Sequence, residues 1–230
     1  MFENFVIEYN GTKVYGDVTP PGTKPEILIL HGAGSANRAR YTHLRELLAS
    51  VGFSSAAFDY IGHGETSGEL QGSTLEDRTE QTLEVINFLK ASPQTVLGSS
   101  MGAYTAIKLL EKFPIENLIL FVPAIYSDES YTIPFGPQFT SAIKKQNSWE
   151  QSCAWELLKS FKGNLLLVAA EKDDVIPQAL IDRIYQSAEN CAAKEIYTIK
   201  GAPHSFTRFL SGNTKQLTEL SDKIINFVKL

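Results

Sequence analysis

The sequence predicts an α/β fold: a doubly wound, mostly parallel sheet that is antiparallel only at its N-terminal edge. Three observations carry that expectation. From Glu26 onward, short continuous apolar runs alternate with stretches whose apolar residues recur at helical spacing. The chain opens instead with two strand-like runs around Asn10-Gly11, the strongest short hairpin signal. Several of the later runs end in glycine-rich or polar loops, and sheets of this kind bind ligands beyond the carboxyl ends of their strands.

Residues 5–8 and 13–18 form the hairpin. Pro20, Pro21, Gly22 and Pro25 separate it from Glu26-Ile27-Leu28-Ile29-Leu30, a run apolar enough to be buried on both faces of a parallel sheet. His31-Gly32-Ala33-Gly34-Ser35 then makes a glycine loop, and Tyr41, Leu44, Leu47 and Leu48 mark a helix closed by Gly52. The next strand, 54–58, leads into a long glycine-rich loop from Asp59 to Gly68. A covering helix at about 75–90 places Thr79, Thr82, Leu83, Ile86 and Leu89 inward, with the charges of Asp77, Arg78, Glu80 and Glu84 mostly elsewhere. Strand 95–97, helix 101–112 and strand 117–122 continue the alternation. Between about 123 and 163 it lapses into a stretch rich in Tyr, Pro and Phe, read as a short cap insertion, with a helix at 149–159 leading back to the sheet. Strand 164–170, helix 178–188, strand 195–199 and helix 217–228 complete a single domain over residues 1–230.

Composition narrows the partners. The net charge is −5, and no Lys/Arg cluster exceeds Lys144-Lys145, so nothing neutralises a phosphate backbone and no nucleic acid is expected. No apolar run approaches the ~20 residues that span a bilayer, and no basic segment followed by an apolar one opens the chain. The expectation is a cytoplasmic protein without stable membrane insertion. Cys153 and Cys191 lie in no metal-like spacing and are read as free thiols of a reducing compartment. The four histidines include no pair at metal-ligand spacing, so neither a metal nor a cofactor is expected. With nucleic acid and membrane set aside, the expected partner is a small molecule, and the chain is expected to be a monomer or small homo-oligomer.

The chemistry gathers around Gly98-Ser99-Ser100-Met101-Gly102, which reads as strand, sharp turn and helix with Ser100 at the apex. The bare pattern also fits an ordinary glycine-bounded connection with a capping serine. Context favours the nucleophile. The penultimate strand is followed by Glu171-Lys172-Asp173-Asp174-Val175-Ile176-Pro177 and the last by Gly201-Ala202-Pro203-His204, so nucleophile, acid and base stand in that order at strand ends. His204 is the base for Ser100, and a carboxylate, Asp173 or Asp174, orients it. The N–H of Met101, at the start of the helix, faces charge that develops at the nucleophile. A dinucleotide-binding loop is the rival for Gly32-x-Gly34, but the third glycine of that fingerprint falls on Asn37.

Over nearly its whole length the chain resembles the α/β-hydrolase superfamily, nearest to its monoacylglycerol-lipase-like and small carboxylesterase branches. The resemblance rests on His31-Gly32-Ala33-Gly34, on the segment from Asp59 to Thr66 with Thr66 in place of the usual serine, and on Gly98 to Gly102. It implies an α/β-hydrolase fold and an oxyanion hole formed by Ala33 and Met101. The family's Asp-x-Val-x-Pro loop maps the acid to Asp173. Ser99 stands where the family often has histidine, and the cap is short for a lipase lid, which points away from long-chain lipids. The activity implied is cleavage of small to medium acyl or aromatic carboxylic esters through an acyl-enzyme. A thioesterase or serine peptidase on the same triad, or a non-catalytic binding protein on the fold, are the alternatives. Pocket candidates are His31, Ser99, Tyr126, Phe135 and Phe139. His31 is also a candidate to brace the oxyanion loop, His63 a loop-bracing residue and His43 an exposed one.

Overall fold

The computed structural model describes residues 1–229. The opening hairpin pairs β1 (Glu3–Tyr9) with β2 (Thr12–Thr19). Asn10 and Gly11 between them have φ of 48° and 75°, the left-handed turn whose twist matches that of the flanking strands. The remaining strands are β3 (Ile27–Leu30), β4 (Ser55–Phe58), β5 (Thr95–Ser99), β6 (Asn117–Phe121), β7 (Asn164–Lys172) and β8 (Ala193–Pro203). They join the hairpin in one eight-stranded sheet of order β1-β2-β4-β3-β5-β6-β7-β8, parallel from β4 to β8. The order of winding reverses between β3 and β5, which pair from Ile27–Thr95 to Leu30–Gly98. In sheets of this kind ligands bind at the carboxyl ends of the strands that flank such a switch point.

The continuous apolar runs follow from burial on both faces. Leu28, Leu30, Val96, Leu118, Leu120, Leu165 and Leu167 belong to one core, and Ile27, Ile29, Leu97, Ile119, Phe121, Leu166 and Val168 to the other. The first core is covered by α2 (Leu75–Phe88), α3 (Met101–Lys108), α6 (Ala154–Ser160) and α7 (Gln178–Ser187), and the second by α1 (Thr42–Ser50), α8 (Phe206–Ser211) and α9 (Thr214–Val228). Between β6 and β7 the chain forms α4 (Asp128–Tyr131) and α5 (Pro137–Ile143) before α6.

Three expectations are corrected. The helix read from Trp149 begins instead at Ala154: the Trp155 indole N–H donates to the carbonyls of Trp149 and Glu150, each at 3.0 Å, and these residues sit in a separate 3₁₀ turn. The last strand extends to Pro203, and α8 follows it, too short to leave a periodic pattern. Arg78, counted among the outward charges of α2, is 1% exposed and lies on the helix face that buries Leu75, Thr82 and Val85.

Arg45 of α1 is also 1% exposed, but it is paired. Its guanidinium forms an ion pair with Asp17 of β2 and donates to the Ser55 hydroxyl at 3.0 Å and carbonyl at 3.1 Å. Arg38 reaches the same Asp17 carboxylate at 2.7 Å. Replacing Asp17 with alanine leaves Arg45 buried without a counter-ion, which costs about 3–5 kcal/mol. Urea denaturation of the Asp17→Ala protein is expected to show a midpoint lowered accordingly, whereas an unchanged midpoint would deny Asp17 that role.

Candidate active site

The turn after β5 places Ser100 at φ 51° and ψ −115°, and α3 starts at the next residue. The two flanking glycines are fixed by contact. A Cβ on Gly98 would lie 2.4 Å from the Gly102 carbonyl oxygen, and one on Gly102 would lie 2.4 Å from that of Leu30. Strand β5, helix α3 and the end of β3 therefore approach more closely than any side chain permits. Ser100 is held in this strained conformation by its N–H, which donates to Phe121 O at 2.8 Å, and by its carbonyl, which accepts from Ala103 and Ala124. Val122, at the end of β6 beside this turn, also has positive φ (40°), rare for a β-branched residue.

The carboxyl ends of β7 and β8 bring the other two predicted residues to Ser100. His204 Nε2 lies 3.1 Å from Ser100 Oγ, and His204 Nδ1 lies 2.9 Å from Asp173 Oδ2 and 3.1 Å from Oδ1. Asp173 Oδ1 also accepts the N–H groups of Val175 and Ile176, both at 2.9 Å. Burial works to raise the pKa of this carboxyl, but the bonds from His204 and the two amides outweigh it and hold the group below its ordinary value. Asp174 points to solvent, so of the two adjacent acids Asp173 faces the imidazole.

The loop after β3 lies against the elbow. The Gly32 Cα faces Ser99 O and Ser100 Cβ, where an added Cβ would come within 3.1 and 3.2 Å. His31 is buried, its Nδ1 2.7 Å from Gly32 O and its Nε2 accepting the Tyr60 N–H at 3.1 Å. The Tyr60 amide can only donate, so the ring proton resides on Nδ1. Burial first, then the charge of Arg78, hold the His31 pKa well below the ordinary imidazole value, and the ring is neutral. The N–H of Met101 opens α3 and has no intrahelical acceptor. The Met101 N–H thus adjoins the serine, and Ala33 follows Gly32, the residue packed against Ser100.

A profile of the family described as serine aminopeptidase, S33, matches residues 21–149, more than half of the chain. The chain belongs to this family of α/β-hydrolases. Among curated relatives, the lysophosphatidylserine lipase ABHD12 of Gallus gallus is 28% identical over 205 residues, covering 78% of this chain and 51% of that protein. The monoglyceride lipase homolog of Monkeypox virus is 30% identical over 139 residues, covering 56% of this chain and 49% of that protein. The chain thus spans about half the length of these relatives. Among solved structures, the esterase EaEST from Exiguobacterium antarcticum superimposes with a TM-score of 0.73 at 19% identity, over 98% of this chain and 99% of that one. A thioesterase domain from the curacin biosynthetic pathway gives 0.73 at 16%, with the same coverage. At these identities the structures share the fold.

In this S33-family hydrolase the segment from Asp59 to Thr66 is a brace. The Asp59 carboxylate accepts Arg38 N at 2.7 Å and Glu65 N at 3.0 Å and is ion-paired to the Arg38 guanidinium. The Thr66 hydroxyl donates to Asp59 O at 2.7 Å and accepts Tyr15 N at 3.0 Å, so threonine supplies the oxygen that serine would. His63 Nδ1 donates to Ile61 O (3.1 Å), with its ring 4.9 Å from that of His31. His43 is exposed on α1 beside Glu46.

The pocket candidates divide. Tyr126, Phe135 and Phe139 form one aromatic cluster, with Phe139 5.7 Å from Tyr126 and 4.8 Å from Phe135 between ring centroids. Phe135 also exchanges backbone hydrogen bonds with the loop before α2, donating to Ser73 O and accepting from Gly72 N. Ser99 is buried beside Tyr41. His31 is corrected as a pocket residue: with both ring nitrogens bonded to backbone, it has none to offer a substrate and braces the loop. Arg78 was missed, although its helical spacing from Leu75 and Thr82 puts it on the buried stripe. Among the described residues no group of His, Cys, Asp and Glu could hold a metal ion, and no helix is long and apolar enough to cross a membrane.

Proposed function

We propose that this hydrolase cleaves carboxylic esters of small to medium acyl or aromatic groups through a Ser100–His204–Asp173 triad. One observation carries the reading: a serine on a strained strand-to-helix turn is hydrogen-bonded to an imidazole whose far nitrogen is held by a carboxylate. Ser100 Oγ attacks the ester carbonyl carbon while His204 Nε2 takes its proton, and Asp173 holds the imidazole with its other proton on Nδ1. The carbonyl oxygen, now an oxyanion, accepts the N–H groups of Ala33 and Met101. The intermediate collapses to an acyl-serine, and the departing alcohol takes the proton from His204. Water then repeats the sequence, releases the acid and restores Ser100.

The names of the curated relatives, lipases of lysophosphatidylserine and monoglyceride, support an ester in preference to a peptide bond. The short insertion between β6 and β7, with its aromatic cluster, supports an acyl group of limited size under a roof that includes Phe139. A panel of p-nitrophenyl esters of rising chain length, run beside an acyl thioester and an amino-acid p-nitroanilide, tests the reading. The short and medium esters are expected to turn over fastest. A preference for the anilide would replace the esterase reading with a peptidase one. In the Phe139→Ala protein the optimum is expected to move toward longer chains by about the length of the deleted ring, with a loss of stability of about 3–5 kcal/mol. An unchanged chain-length profile would remove Phe139 from the roof.

A further inference from the structure

Arg78 lies on the first turns of α2, at 1% exposure, and no carboxylate pairs with it among the described residues. Its guanidinium carbon sits 3.6 Å from the centre of the Tyr60 ring, and Nη2 donates to His31 O at 2.6 Å, with a longer contact of 3.4 Å to Gly32 O. Nε and Nη1 are buried without a protein partner. A charge in such a place is costly, and an apolar side chain of similar volume typically serves stability as well or better. What the guanidinium does contribute is an arrangement of backbone: it brackets two consecutive carbonyls of the loop that lies against Ser100.

We propose that Arg78 is a positioning residue which, with His31, sets the direction of the Ala33 N–H toward the oxyanion of the reaction. The inference rests on the hydrolase reading of Ser100 given above. A trans peptide is planar, with its C=O and N–H pointing to opposite sides. The Gly32 carbonyl and the Ala33 N–H belong to one such unit. With Gly32 O drawn to the His31 Nδ1–H at 2.7 Å and toward Arg78 beneath it, the Ala33 N–H is turned to the opposite side of the loop. The short bond from Arg78 to His31 O fixes the preceding peptide as well, so the loop cannot rotate about Gly32 without breaking a charge-assisted bond. The buried positive charge also polarises these peptides in the sense that favours a negative oxygen at the N–H.

The test compares wild type, Arg78→Met and Arg78→Lys for kcat and KM on the best p-nitrophenyl ester, for inhibition by an alkyl boronic acid that mimics the tetrahedral intermediate, and for thermal midpoint. Arg78→Met is expected to lose kcat by about 10- to 100-fold, less than the 10²–10³ of an oxyanion donor removed outright. Its KM should stay within about threefold and its boronate affinity should fall in parallel with kcat/KM, as for an interaction made only in the transition state. Arg78→Lys keeps one donor and the charge but not the planar fork, and should lose about three- to tenfold in both. If Arg78→Met does not fold, Arg78→Lys decides. Unchanged kcat and boronate affinity in the folded variant, or a loss confined to KM, would overturn the role of Arg78 while leaving the hydrolase reading in place. A wild-type protein inert toward every substrate of the panel would overturn that reading and the role of Arg78 with it.

Discussion

Ser100→Ala is expected to fold normally and to hydrolyse p-nitrophenyl esters no faster than background, a loss on the order of 10⁶ in kcat where turnover of the wild type is fast enough to measure it. The two halves of this result have separate causes. The Ser100 hydroxyl makes one side-chain bond, to His204 at 3.1 Å, and the turn is held by main-chain bonds and by the close approach of Gly98 and Gly102, none of which alanine disturbs. The chemistry, by contrast, rests on Ser100 Oγ, the one hydrogen-bond partner of His204 Nε2 among the described residues. The check pairs a hydrolysis assay with a thermal melt. Retained turnover in a folded Ser100→Ala protein would place the reaction elsewhere.

Asp173→Asn is expected to lower kcat by about 10⁴ without unfolding the chain, the loss produced by the same change in a serine protease triad. The geometry supplies the reason. Asp173 Oδ1 accepts the N–H groups of Val175 and Ile176, so in asparagine the carbonyl oxygen stays at that position and the amide nitrogen replaces Oδ2, 2.9 Å from His204 Nδ1. That nitrogen is a donor. His204 Nδ1 must then accept, its proton moves to Nε2, and the atom facing Ser100 can no longer take the serine proton. Asp174→Asn changes an exposed side chain and is expected to stay within about threefold of wild type, as surface substitutions generally do. Steady-state kinetics on the two variants decides the matter, since the opposite ranking would transfer the orienting role to Asp174.

Much of this arrangement was legible in the sequence for identifiable reasons. The strands β3 and β5 to β7 are buried on both faces, which leaves continuous apolar runs that no amphipathic helix imitates. The grouping of Ser100, His204 and the adjacent acids Asp173 and Asp174 followed from the rule that ligands bind past the carboxyl ends of strands, so residues far apart in the chain could be read as neighbours, while the choice of Asp173 rested on the resemblance of its loop to the family's. What the sequence concealed was polar burial. Arg78 looked like one more surface charge on α2 because charge is ordinarily a sign of exposure, yet its spacing of three from Leu75 and four from Thr82 set it on the inner stripe. Trp155 hid the true start of α6 in a similar way, since a side chain that captures the carbonyls of Trp149 and Glu150 is invisible to a periodicity count. His31 was ambiguous until the Tyr60 amide was seen to occupy its second nitrogen.

The central claim, that Ser100 is an activated nucleophile, is tested most directly by incubating the protein with a fluorophosphonate and locating the adduct by mass spectrometry of its proteolytic peptides. The probe phosphonylates a serine only where a base takes the hydroxyl proton and backbone donors receive the resulting oxyanion. The expected result is one stoichiometric adduct on the peptide containing Ser100, absent from Ser100→Ala and slowed by orders of magnitude in His204→Ala. A folded wild-type protein left unmodified, or modified at a serine other than Ser100, would contradict the account.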